Sequence, residues 1–203
     1  MYNSQQNKNS AMTLYLSDNQ PFCQCVEIIL AEKDISVNVI NVSKKKNRLQ
    51  ELYELNPYGE VPTLKTKDLI VYEPDIIFEY LESRFPYPPL LSVFPLQRAQ
   101  ARMLNKKFDQ KWMPLLINTF NTENEDIKQE NKITLLKFLF SFLPTLRSQP
   151  YILGDEFSIV DCSVAVLLYH LLKLDIRIPG KAFHLIEYAR RVFSRPSLKK
   201  VLR

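Results

Sequence analysis

With 203 residues, 46% hydrophobic and 24% charged, the chain has an ordinary globular composition and enough apolar material for one large or two small packed domains, which excludes a wholly disordered chain. Three Gly against 13 Pro, with no GxGxxG or GxxxxGK[ST] pattern, exclude a glycine-rich phosphate cradle. The net charge of +5 is uneven: residues 1–85 hold 9 Lys+Arg and 12 Asp+Glu, leaving 18 and 10 for residues 86–203, so the halves carry −3 and +8.

A solvated surface accounts for most of the basic excess, with an acidic partner as the sharper alternative. Cys23, Cys25 and Cys162 are odd in number and follow no secretory signal. No apolar run approaches the roughly 20 residues that cross a bilayer. A reduced, soluble, cytoplasmic protein with no membrane contact is expected. His170 and His184 lie in helical patterns without Cys or carboxylate partners at ligand spacing, so no metal is expected and core or helix-surface roles are favoured.

Residues 1–11 are polar and read as a frayed tail. Residues 12–16 (MTLYL) suit a buried strand, and residues 21–33 place Cys23, Val26, Ile29 and Leu30 at helical spacing, with Pro21 tolerated in the first turn. Residues 37–42 (VNVINV) alternate as a second strand, parallel to the first because a helix intervenes. Lys44, Lys45, Lys46 and Arg48 open a short helix ending at Leu55, the lysine triplet reading as a solvated turn rather than an anion site.

Residues 56–74 (NPYGEVPTLKTKDLIVYEP) organise this half. Pro62 enters a strand edge without a ladder donor, and two short strands at 62–65 and 69–72 form a hairpin over the turn 66–68. The stretch reads as a small-ligand loop. A helix over 75–84 then places Ile76, Ile77, Tyr80 and Leu81 on one face. The order βαβαββα, with a proline before the third strand, is the thioredoxin-like arrangement.

Residues 85–95 (FPYPPLLSVFP) cannot be helix, because Pro86, Pro88, Pro89 and Pro95 remove donors and restrict their neighbours. The rest of the chain reads as helix: 96–120 with an interruption risk at Pro114, 123–147 broken near Pro144, 159–174, 182–193 and 197–203. Ser158 and Asp161 fit the Ser-x-x-acid capping pattern, with Phe157 placed to staple the start of the apolar helix 159–174. The expected organisation is a tail (1–11), an α/β thioredoxin-like domain (12–85), a Pro-rich linker (86–95) and an all-α domain (96–203). Arg190, Arg191, Arg195, Lys199, Lys200 and Arg203 crowd the last helices without a recognition-helix motif, so any DNA contact is expected to be indirect or weak.

The chain resembles the glutathione-transferase superfamily in LxxLNPYGEVPTL around Pro62, in Glu73 ending the fourth strand, and in the GDEFSIVDC helix cap. Within it, the chain is similar to the RNA-polymerase-associated branch. That likeness is carried by ILAEK (29–33), ELNP (54–57), VPTL (61–64), YLESRFPYPPL (80–90), VFPLQRAQAR (93–102), DEFSIVDC (155–162) and RVFSRPS (191–197). The resemblance implies a glutathione-transferase-like architecture and locates the ancestral glutathione site at Gln20, Val61, Pro62, Glu73 and Pro74, with Pro62 cis.

The chemistry at those positions departs from the superfamily pattern. A nucleophilic Cys belongs at the head of the first helix, where the dipole lowers its pKa. Gln20 leads here, and Cys23 falls a turn inside as a structural thiol. Tyr15 and Ser17 remain near the strand end as hydroxyls of the kind that activate glutathione in other members. Where the pattern has an acidic residue followed by Ser, this chain has Glu73-Pro74, and Pro74 supplies neither hydroxyl nor N–H. Losing two hydrogen bonds to a charged carboxylate costs on the order of 3 kcal/mol, roughly a hundredfold in affinity.

Members of the polymerase-associated branch carry a Pro-His-Pro surface element in the linker, and this chain has Pro86-Tyr87-Pro88 followed by Pro89. The resemblance thus implies a non-catalytic regulator, in stress, starvation or virulence control, that contacts RNA polymerase and the primary sigma factor. It implies a transferase-like dimer, either a homodimer or a heterodimer with a paralogue. No cofactor is expected, except that guanosine tetraphosphate at a dimer interface is one anionic ligand suited to Lys65, Arg84, Arg98 and Arg102. A glutathione-dependent transferase or thiol oxidoreductase, and direct DNA binding, stay open as alternatives.

Overall fold

The computed structural model describes residues 12–44, 46–176 and 178–202, so Lys45, Arg203 and the N-terminal tail lie outside the described residues. The chain divides into two compact units, cut between Pro88 and Pro89.

The first unit is built on a four-stranded sheet: β1 (Thr13–Leu16), β2 (Asn38–Asn41), β3 (Thr63–Lys65) and β4 (Ile70–Tyr72), in the order β2-β1-β3-β4. β1 runs parallel to β2, with Thr13 opposite Asn38, and antiparallel to β3, with Thr13 opposite Lys65. The crossover between β1 and β2 contains helix α1 (Pro21–Glu32), which is what a parallel pair requires. Helix α2 (Lys46–Leu55) follows β2 after a short 3₁₀ turn. The β3–β4 hairpin closes on Thr66, whose amide and hydroxyl both donate to the Leu69 carbonyl, at 2.8 and 2.9 Å.

Helix α3 (Pro74–Arg84) begins on Pro74 itself, where the missing N–H is one the helix start leaves unpaired anyway. Its buried face is Ile77, Phe78, Leu81 and Glu82, whereas Ile76 is 52% exposed and Tyr80 only half-buried. The expected apolar face is therefore shifted by one residue. Ile76 and Tyr80, four apart, form the adjoining stripe, and the core selects Phe78 in their place. Leu14, Leu64, Val71 and the α1 residues Val26, Ile28 and Ile29 complete this core.

The second unit is helical: α4 (Pro95–Lys107), α5 (Met113–Asn121), α6 (Glu125–Phe140), α7 (Leu143–Leu146), α8 (Ile159–Lys173), α9 (Phe183–Phe193) and α10 (Pro196–Val201). The expected long helix over 96–120 is resolved as α4 and α5 joined through a π-helical turn, Phe108–Trp112. Pro114 explains it. An α-helix would press the proline ring against the carbonyl four residues back, and the wider turn, with the Met113 amide bonded to Phe108 O, avoids that clash. Asn124 caps α6 by accepting from the amides of Asp126 (3.0 Å) and Ile127 (3.1 Å).

Helix α8 is buried almost all round, from Ile159 to Leu168 and again at His170 and Leu171. Its capping box is present. Asp161 Oδ2 accepts from the Ser158 amide (2.9 Å) and hydroxyl (2.8 Å), and Oδ1 from the Ile152 amide (3.1 Å) and the Tyr188 hydroxyl (2.9 Å). Burial pushes the Asp161 pKa up, against the pull of those four donors. Among the described residues no helix is long and apolar enough to cross a membrane.

Candidate functional site

Among the residues singled out in the sequence, two groups stand out: those around β1, β3 and the start of α3, and the prolines after α3.

At the end of β1, Tyr15 is buried and donates its hydroxyl to Glu51 Oε1 of α2 at 2.8 Å; Arg48 Nη1 holds Glu51 Oε2 at 2.8 Å. Burial, then the hydrogen bond and charge of Glu51, push the Tyr15 pKa up to about 12. The phenol proton is directed at a carboxylate within the fold, not at an incoming thiol. Ser17 is half-buried, and Gln20 is the exposed N-cap of α1, making no side-chain cap bond.

Cys23 is buried, and desolvation raises its pKa to about 12, with the charge of Glu27 adding to the shift and a backbone hydrogen bond at Ser17 opposing it. A thiol in that state has almost no thiolate at neutral pH. Cys25 and Cys162 are likewise buried, and neither is in a disulfide.

Glu27, one turn further along α1, is itself raised to about 7 by burial first and Asp18 second. Because its pKa in the fold lies above the unfolded value, the fold holds this proton more tightly than the unfolded chain does. The stabilisation that goes with it is complete below about pH 4.5 and is lost as pH rises towards 7. Glu27→Gln is therefore expected to be more stable than the parent at pH 8, by about 2 kcal/mol, with the gap closing by pH 5. Urea unfolding at the two pH values checks this; equal differences at both would contradict it.

The loop ahead of β3 is locked from inside. Buried Asn56 donates to Thr63 Oγ1 (3.1 Å) and Glu60 O (3.3 Å) and accepts from the Tyr58 amide (3.1 Å), while Thr63 Oγ1 donates to Glu60 O (2.7 Å). Val61–Pro62 is cis, Pro62 buried and Val61 half-buried. Gly59 sits at φ +65°, and a Cβ there would run into the Tyr53 ring. Gly59→Ala should cost about 1–3 kcal/mol, read from the thermal midpoint, and an unchanged midpoint would count against this reading.

Glu73 keeps a backbone of φ 67°, ψ 121°, sparsely populated for a non-glycine residue, and its carbonyl receives the Ile76 and Ile77 amides. Pro74 follows at the first helical position. At this position the chain offers a pyrrolidine ring, with neither hydroxyl nor N–H, at the start of α3.

Beyond α3, Pro86, Tyr87, Pro88 and Pro89 are all exposed, Tyr87 by 81%. Tyr87–Pro88 is cis. Beneath the loop lies Lys33, at the C-terminus of α1, with a side chain that is 0% exposed. Its Nζ donates to Phe85 O (2.7 Å) and Pro88 O (2.8 Å) and pairs with Glu82 Oε2 (2.8 Å). Sequence reasoning missed this contact, although Lys33 and Glu82 stand inside ILAEK and YLESRFPYPPL; a lysine after a helix that already carries Glu27 and Glu32 gives no signal of burial.

Of the basic residues, Lys65 is exposed at the end of β3, and Arg84 closes α3 with its guanidinium 5.7 Å from the Phe85 ring centroid. Arg98, half-buried, and Arg102, exposed, stand one turn apart on α4 of the second unit. Val93, Phe94, Leu96 and Met103 are exposed apolar side chains along the same segment, also unanticipated. Near the C-terminus, Arg191 Nη1 donates to Pro150 O (2.6 Å), and the Arg195 guanidinium lies 4.1 Å from the Phe157 ring centroid. Two charges of the basic run therefore brace the loop ahead of α8.

Comparison with known proteins places this arrangement. Residues 14–89 match the family model for the glutathione S-transferase N-terminal domain and residues 97–196 that for its C-terminal domain. The solved structure of glutathione transferase Omega 3C from Trametes versicolor superposes with a TM-score of 0.79 at 28% identity, covering 95% of this chain and 89% of that one. The molecule is therefore of the glutathione-transferase type, with an α/β thioredoxin-like domain and an all-α domain. Stringent starvation protein A homologues are similar over nearly the full length: that of Haemophilus influenzae is 39% identical, covering 96% of this chain and 91% of its own, and that of Pasteurella multocida 35%, covering 97% and 92%. The chain belongs to the stringent starvation protein A branch of the glutathione transferase superfamily.

Proposed function

We propose that this protein is a non-catalytic, cytoplasmic transcription regulator that docks on RNA polymerase and its primary sigma factor through residues 86–89. The observation that carries this reading is Tyr87, an aromatic residue 81% exposed between prolines in a loop anchored from beneath. Such a residue offers apolar area and a polar tip, and a preordered loop loses little entropy on docking. The buried Cys23, the Tyr15 hydroxyl committed to Glu51 and the donor-less Pro74 support the absence of glutathione chemistry.

The regulator acts as a transferase-like dimer, homodimeric or paired with a paralogue, and the exposed apolar side chains Val93, Phe94, Leu96 and Met103 support an interface at the start of α4. Guanosine tetraphosphate at a dimer interface belongs to the same reading, as an anionic ligand suited to Lys65 and Arg84 of the first unit or to Arg98 and Arg102 of the second; calorimetry with no heat on either dimer form eliminates it. Affinity capture of the tagged chain from its native cytoplasm tests the reading as a whole. Polymerase subunits, with or without a paralogue, are the expected recovery, and a capture free of polymerase would overturn the proposal.

A further inference from the structure

We infer that Lys33 is the positioning residue of the 85–88 loop, and that its buried pair with Glu82 is kept to hold Tyr87 in its presented geometry rather than to stabilise the unit. The loop has little means of holding itself. Pro86, Pro88 and Pro89 have no N–H, so the Tyr87 amide is the one backbone donor in residues 86–89. Order has to come from outside, through the carbonyls.

Lys33 supplies it with full use of its chemistry. An ammonium has three donors, and all are taken: Phe85 O at 2.7 Å, Pro88 O at 2.8 Å and Glu82 Oε2 at 2.8 Å. The two carbonyls flank Pro86-Tyr87, so one cation fixes both ends of the chord that carries the exposed ring. Glu82, also buried, balances the charge that α1 brings inside. A buried pair of this kind gains little over apolar residues of similar size, so stability gives no reason for it. Presentation of the loop does, because an apolar substitute cannot bond the two carbonyls.

The biological use of this device rests on the polymerase-binding reading; the positioning itself does not. The test uses the full chain with 3-fluorotyrosine incorporated at position 87, in the parent and in a Lys33→Met, Glu82→Leu double variant. The variant should keep the parent's circular dichroism and urea midpoint while its ¹⁹F resonance shifts and splits. If the presented conformer falls to about a tenth of the population, the Kd for polymerase holoenzyme rises about tenfold. An unchanged ¹⁹F resonance in the folded variant would overturn the inference. A second measurement needs no variant: with ¹⁵N-labelled lysine, the parent should show an ammonium resonance protected from solvent exchange, and its absence would overturn the inference equally. A shifted ¹⁹F resonance with no polymerase affinity in either protein supports the positioning and overturns only the polymerase reading.

Discussion

Replacing Asp161 by Ala is expected to destabilise the second unit by about 3–5 kcal/mol, since two buried donors lose their acceptor at about 1–3 kcal/mol each and the α8 capping box is lost for about 1 kcal/mol more. The carboxylate is fully buried and accepts from two amides and two hydroxyls on three separate segments: the Ile152 turn, the α8 cap and Tyr188 of α9. Alanine would leave the Tyr188 hydroxyl and the Ile152 amide without an acceptor, in a place water does not reach easily. Ser158→Ala, by contrast, removes one donor to that carboxylate and should cost about 1 kcal/mol. Trp112 lies in the same unit and is the chain's one tryptophan, so its fluorescence in urea reports the transition directly. A loss below about 1 kcal/mol for Asp161→Ala would mean that the network is not the folding determinant its geometry makes it.

The second large effect concerns glutathione. The parent is expected to bind it roughly a hundredfold more weakly than a site in which a serine hydroxyl and amide hold the γ-glutamyl carboxylate. Pro74→Ser returns both donors to a scaffold whose Glu73 backbone and Asn56–Thr63 lock are still in place. Calorimetry should therefore show tighter glutathione binding for Pro74→Ser than for the parent, by between about tenfold and a hundredfold. Equal affinity would show that the loss lies elsewhere in the site. Neither protein should conjugate an electrophile, since Tyr15 is bonded to Glu51 and Cys23 is raised to about 12.

Much of the fold was legible because its signals are local. β-branched alternation marked β2, and Ser158 with Asp161 marked the head of α8; the prolines marked a non-helical stretch only as far as Phe94, because Pro95, expected to be outside helix, is the first residue of α4, where a missing N–H costs nothing. The second unit's π-helical turn was half legible: Pro114 announced a disturbance, but a proline's clash is with the carbonyl four residues back, so the distortion lies upstream of it. The face of α3 was misjudged by one position because Ile76 and Phe78 are equally apolar, and only packing against the core decides which turns inward.

The site was less legible, for a different reason. Tyr15 and Glu51 are 36 residues apart, and Lys33 meets carbonyls 52 and 55 residues away. Backbone carbonyls leave no mark in a sequence, so a lysine that binds two of them looks like any solvated helix terminus. The prolines of the loop were visible; the cation beneath them was not.

If residues 86–89 are the contact surface for polymerase, removing their side chains must weaken binding without unfolding the chain. Purified RNA polymerase holoenzyme titrated with the parent and with a Pro86→Ala, Tyr87→Ala, Pro88→Ala variant decides the matter. The parent should bind saturably, and the variant should lose about 2 kcal/mol or more, roughly thirtyfold, as expected for removal of an aromatic anchor. Equal binding by the two proteins would show that polymerase does not dock on this loop.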